Sequence, residues 1–153
     1  MDASLYSIVA FLAYLCAGFF VLRQLVSRVT IAGGLRSGLF ALIIVALVFH
    51  AWVLFQNFMG PAGLNFGLFN AVSLLAWLIA LLLSLAMAGR PVENLGIVIF
   101  PLAALALLLE ASFSTEHVIA SDNFSLKLHI LISVLSYSIF SMAAIQAILL
   151  AIQ

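Results

Sequence analysis

Five uninterrupted apolar runs, each long enough to cross a bilayer, constrain this chain more than any other feature. They extend from Leu5 to Leu25, Leu35 to Asn57, Leu64 to Ala88, Leu95 to Ser112, and Phe124 to the chain end at Gln153. A hydrocarbon layer about 30 Å thick takes about 20 mostly apolar residues as a helix, at about 1.5 Å of rise per residue. No water satisfies the backbone inside that layer, so a spanning segment is either a helix or a strand of a closed barrel. Barrel strands alternate apolar and polar residues over roughly 10 positions, and these runs are continuous and longer. The sequence therefore predicts an all-α, polytopic transmembrane helical bundle of five helices, one domain over residues 1–153. A soluble globular enzyme is excluded, since the chain is 67% hydrophobic and only 7% charged.

The runs are separated by Gly33-Gly34 between Arg28 and Arg36, by Gly60-Pro61 with Gly63, by Gly89-Arg90-Pro91, and by the polar stretch Ser112 to Asp122. Arg23, Arg28 and Arg36 surround the first connection and Arg90 lies in the third, whereas Lys127 alone falls on the other side. The positive-inside rule then puts the first and third connections in the cytoplasm and the N-terminus, the second and the fourth outside. The first run follows Asp2 with no basic residue before it, which fits a retained helix better than a cleaved signal. Cys16, the single cysteine, reads as an ordinary buried side chain; it leaves no intrachain disulfide, CxxC pair or CxxCH haem-attachment site. Five Lys and Arg balance five Asp and Glu, so the basic footprint of a nucleic-acid binder is missing. The last run, as one helix, would extend about 45 Å, well past the bilayer; the expectation is the N-terminal part of a longer helical protein.

Ionisable groups cost roughly 2.5 to 3.5 kcal/mol at the bilayer centre even on the permissive insertion scale, so those present are informative. His50, Glu110 and His129 fall within the runs, all on the outward side. His50 is expected about 10 Å deep and His129 about 8 Å deep. Two neutral imidazoles at one level on different helices suit axial ligation of a haem iron; they equally suit core histidines bonded to a serine or a carbonyl. Glu110 is expected to snorkel to the interface, to pair with Lys127, or to orient a histidine. His117 reads as a solvated loop residue. Stripes at helical spacing run through Phe66, Asn70, Ser73, Trp77 and Ser84 on the third helix, and through His129, Ser133, Ser136 or Tyr137, and Phe140 on the fifth. Such stripes mark helix contacts or line a flat slot, and Trp52, Phe55 and Phe58 read as a slot wall or an interfacial belt. Pro101 is expected to kink the fourth helix. The candidate cofactor-binding residues are His129, His50, Trp77, Tyr137 and Ser73, with His129 and His50 as the candidate iron ligands. No phosphate loop, HExxH motif, nucleophile elbow or pair of carboxylates placed for acid–base work is present, so no catalytic residue is assigned.

The order and spacing of these residues resemble the CcsA-type membrane proteins of cytochrome c assembly, especially the HemX-like/YpjD-like branch. The resemblance lies in His50-Ala51, in Asn65-Phe66 through Asn70-Ala71-Val72-Ser73-Leu74, and in Leu128-His129-Ile130 through Ser136-Tyr137-Ser138-Ile139-Phe140 and Ala143. It covers most of the chain. It implies a bacterial inner-membrane protein that handles haem b at the outer face, with apocytochrome or other assembly proteins as partners and an accessory rather than enzymatic role. His129 is similar to the family's external haem-ligating histidine, and His50 to a histidine of the HemX-like branch. The sequence departs from the full pattern in having no tryptophan-rich WWD segment and no second histidine after it. A membrane scaffold that recruits partners without a cofactor is the competing expectation; a small-molecule exporter is a weaker one, because no continuous polar path crosses the runs.

Overall fold

The computed structural model describes residues 3–27, 33–60, 63–90, 92–113, 117–119 and 124–152. Five helices account for nearly all of them: α1 (Ala3–Ser27), α2 (Gly33–Phe58), α3 (Leu68–Gly89), α4 (Gly96–Ser112) and α5 (Phe124–Ile152). All five are long and apolar enough to cross a membrane, and the protein is a multi-pass helical bundle. Gly33-Gly34, expected as a break, opens α2, and a single 3₁₀ turn at Glu93–Leu95 leads into α4.

The helices form a closed ring with one helix outside it. α1 packs on α2 and α4, α3 completes the ring against α2 and α4, and α5 lies against α3. Tyr14, Ala17 and Val21 of α1, Ile43 and Ala46 of α2, Leu83 and Met87 of α3, and Ile99, Phe100 and Ala103 of α4 make up the shared core. With lipid as apolar as leucine, small residues that allow close helix approach supply much of the association between such helices. Gly18 is the clearest case: a Cβ there would sit 3.1 Å from Cδ of Pro101, so the proline ring seats on the glycine across the α1–α4 contact. Pro101 lies inside a helix that runs unbroken from Gly96 to Ser112.

The two ends of the ring are closed differently. At one end three short strands, β1 (Met59–Gly60), β2 (Gly63–Asn65) and β3 (Val118–Ile119), form an antiparallel sheet in the order β1-β2-β3. The third apolar run is expected to be helical from Leu64; the structure starts α3 at Leu68 because Leu64 and Asn65 pair instead with Ile119 and Val118. Asn65 adds a side-chain clamp, its Oδ1 accepting from the backbone N–H groups of Gly67 and His117 at 3.0 Å each. At the opposite end Arg36 donates to the Met87 carbonyl at 2.9 Å, pairs with Glu93 at 3.4 Å, and lies over the Phe40 ring. A guanidinium on the last-turn carbonyls of α3 suits the negative end of that helix.

Candidate functional site: a buried polar chain across four helices

Five polar side chains inside the ring form one connected chain. His50 of α2 has no exposed surface, and both of its ring nitrogens are engaged: Nδ1 lies 3.2 Å from the Tyr14 hydroxyl of α1, and Nε2 lies 2.9 Å from the Ser73 hydroxyl of α3. Ser73, also fully buried, sits beside the carboxyl of Glu110 on α4. Asn57, the penultimate residue of α2 at the sheet end, donates from Nδ2 to Oε1 of Glu110 at 2.8 Å. Each of the four ring helices thus contributes at least one member. Tyr14 is further held by edge packing on His50 and by stacking on Phe100 at 6.2 Å between centroids.

Helical period explains why these residues meet. Asn70 and Ser73, at i and i+3 on α3, both face the ring and are buried. Trp77, one further turn along, donates from Nε1 to the Leu47 carbonyl of α2 at 2.9 Å. The α3 stripe therefore faces the ring at Asn70, Ser73 and Trp77. Ser84, at its far end, bonds back to the Ala80 carbonyl at 2.6 Å.

The α5 stripe behaves otherwise. His129, Ser136, Tyr137 and Phe140 are exposed, and Ser136 bonds only back to the Ile132 carbonyl. The face of α5 that packs carries Ser138, Met142, Ile145 and Leu149. The His129 imidazole makes no hydrogen bond among the described residues. The structure thus brings together His50, Ser73 and, through Leu47, Trp77, and it leaves His129 and Tyr137 outside that cluster.

A haem held between His50 and His129 does not fit this arrangement. Axial ligation needs a free nitrogen from each imidazole on opposite faces of one macrocycle, and His50 spends both on Tyr14 and Ser73 while His129 points away from the ring. The apolar groove that Trp77 does line, with Ala51, Leu54, Phe55, Phe58 and Leu74, has a volume of about 220 Å³ and includes neither histidine. Ligand pockets ordinarily run to roughly 300–1,000 Å³.

Two other expectations are corrected. Glu110 does not snorkel: it is 5% exposed and turned inward to Asn57 and Ser73, since α4 presents it on the same face as Ala103 and Leu107. Its pairing with Lys127 falls on a side chain outside those described. Cys16 is exposed rather than buried, because it lies on the outward face of α1, one position from the packed Ala17. Trp52 and Phe55 are about half exposed; Trp52 lies edge-on to Tyr6, while Phe55 and Phe58 line the apolar groove beside Trp77. His117 is exposed, as expected of a loop residue.

Sequence reasoning missed Tyr14 and Asn57. Tyr14 is the lone hydroxyl in the middle of the first apolar run, and that isolation in a costly environment was the available signal. No family model, no curated protein and no solved structure matches this chain.

Proposed function

We propose that this chain is a membrane-embedded participant in haem handling, acting at the outer face of a bacterial inner membrane in support of cytochrome c assembly. In this reading the α1–α4 ring is the rigid anchor and α5 is the working face. His129 is the helix-borne imidazole this chain presents to iron, and a partner or a further segment supplies the opposing ligand. The observation that carries the reading is the exposed, unbonded imidazole of His129 near the sheet end of α5, in line with exposed Ser136 and Phe140. Histidine is a common axial haem ligand, and the resemblance along the second, third and fifth helices points to the same residue. His50, with both nitrogens bonded, becomes a structural residue.

The test is optical. Protein purified from membranes of cells supplied with haem should show a Soret band that is lost in His129→Ala and kept in His50→Gln. Colourless wild-type protein, or a band indifferent to His129, overturns the reading.

A second reading is favoured by a separate observation, the bare surface of α5, of which 6% of the most apolar window is buried. It makes the protein a cofactor-free scaffold that docks other transmembrane helices on α5. Loss of partner co-purification on Ser136→Leu, with no chromophore in any variant, would select it.

A further inference from the structure

One atom of the buried chain lacks a partner. Oε2 of Glu110 has no solvent access and no hydrogen bond, while Oε1 accepts from Asn57. The groups facing the carboxyl are Asn57 from α2 and Ser73 from α3, with His50 of α2 and Tyr14 of α1 reached through Ser73. Among the described residues it has no basic partner; the Arg36–Glu93 pair lies at the other end of the bundle. A carboxylate anion shut away from water with one oxygen unmatched is costly, because burying an ionised group without matching donors forfeits its hydration. A carboxylic acid meets the same surroundings without that cost. Its carbonyl oxygen accepts from Asn57 and its hydroxyl oxygen becomes a donor, with Ser73 as the adjacent acceptor.

We propose that Glu110 is a proton-binding site, its protonated carboxyl donating to Ser73, and that its occupancy sets the direction of every hydrogen bond from Ser73 to Tyr14. The bonding inventory of each group supports this. With the proton present, Ser73 accepts from Glu110 and donates to Nε2 of His50, so the imidazole proton sits on Nδ1 and is donated to Tyr14. When one proton passes from the carboxyl to water, the anion takes the Ser73 hydroxyl proton as its donor. Ser73 then accepts from Nε2–H, and Tyr14 donates to Nδ1. The imidazole stays neutral and exchanges tautomers. Counted along their own helices from the sheet end, Glu110, Ser73, His50 and Tyr14 are rooted at about 3, 8, 12 and 16 Å. A protonation event near the membrane boundary is therefore registered near the middle of the bundle.

The experiment uses the full chain reconstituted in lipid, with infrared detection of the protonated-carboxyl carbonyl band and ¹⁵N NMR of labelled histidine across a pH series. A carboxylic-acid band should be present at neutral pH, absent in Glu110→Gln, and shifted in Ser73→Ala. His50 should show the Nδ1–H tautomer while the band persists and the Nε2–H tautomer once it is gone. Glu110→Gln, whose amide still donates, should hold His50 as Nδ1–H throughout. Absence of any Glu110-dependent acid band, or a His50 tautomer that does not follow it, overturns the proposal. The covariation of band and tautomer in the wild-type protein decides the matter even if a variant fails to assemble.

Discussion

α4 and α5 are both continuous apolar helices, yet half of the most apolar window of α4 is buried and only 6% of that of α5. α4 touches α1 and α3 and carries Phe100, Ala103 and Leu107 into the core, whereas α5 leans mainly on α3 and touches the 3₁₀ turn at Glu93–Leu95. Composition does not separate them, because in lipid an apolar surface is at home against either acyl chains or another helix. What separates them is fit: α4 has small residues and a proline that Gly18 receives, and it has Glu110 to join the polar chain. A helix in a ring is held by shape and hydrogen bonds; a helix beside it keeps its polar face available.

The largest expected effect that would break this contrast is the pair Phe100→Ala and Phe140→Ala. Phe100 is fully buried on Tyr14, and its truncation should cost about 3–5 kcal/mol, by analogy with soluble cores. Phe140 is 75% exposed, and its truncation should stay within about 0.5 kcal/mol. Denaturation midpoints in detergent or lipid measure both, and equal losses would mean that α5 is packed as tightly as α4.

Next in size, Gly18→Val should cost about 1–3 kcal/mol by driving its side chain into Pro101. The same assay reads it, and Gly38→Val, where a Cβ meets nothing within 4 Å, is the control. His50→Ala should cost about 1–3 kcal/mol, since it leaves the Tyr14 hydroxyl without its partner and deprives Ser73 of one. His129→Ala should leave stability within about 0.5 kcal/mol. If the two histidines proved equally costly, the distinction between ring and outer helix would fail at its most polar positions. A smaller loss than at Gly18 or His50 is expected at Arg36→Ala, about 0.5–1 kcal/mol, because the Arg36 side chain is 45% exposed in its pair with Glu93. Raised salt should narrow that difference.

Much of the fold was legible because span length and continuity are local properties. Helix positions came within a few residues, and the largest discrepancy, at the start of α3, arose from a strand pairing between segments more than 50 residues apart. Nothing in the Gly63–Asn65 segment by itself announces Ile119 as a neighbour. The candidate site was legible in part. His50, Ser73 and Trp77 were visible as polar or aromatic residues at helical spacing, and Glu110 as a charge within a span. Their partners were not visible, since depth along a helix is readable from sequence and rotation about its axis is poorly readable where all faces are apolar. Such rotation hid the difference between the α3 stripe, which faces the ring, and the α5 stripe, which faces away.

The amino-acid sequence by itself determined five membrane-spanning helices, their approximate ends, and the few polar groups that each carries into an apolar medium. The bilayer imposes those outcomes on any chain of this composition, through backbone hydrogen bonding and length alone. Only the tertiary structure decided that His50 closes on Tyr14 and Ser73 rather than on His129, and that Glu110 turns inward with one oxygen unmatched. Those choices depend on the azimuth and close approach of neighbouring helices, which small side chains such as Gly18 permit and which no single helix can specify.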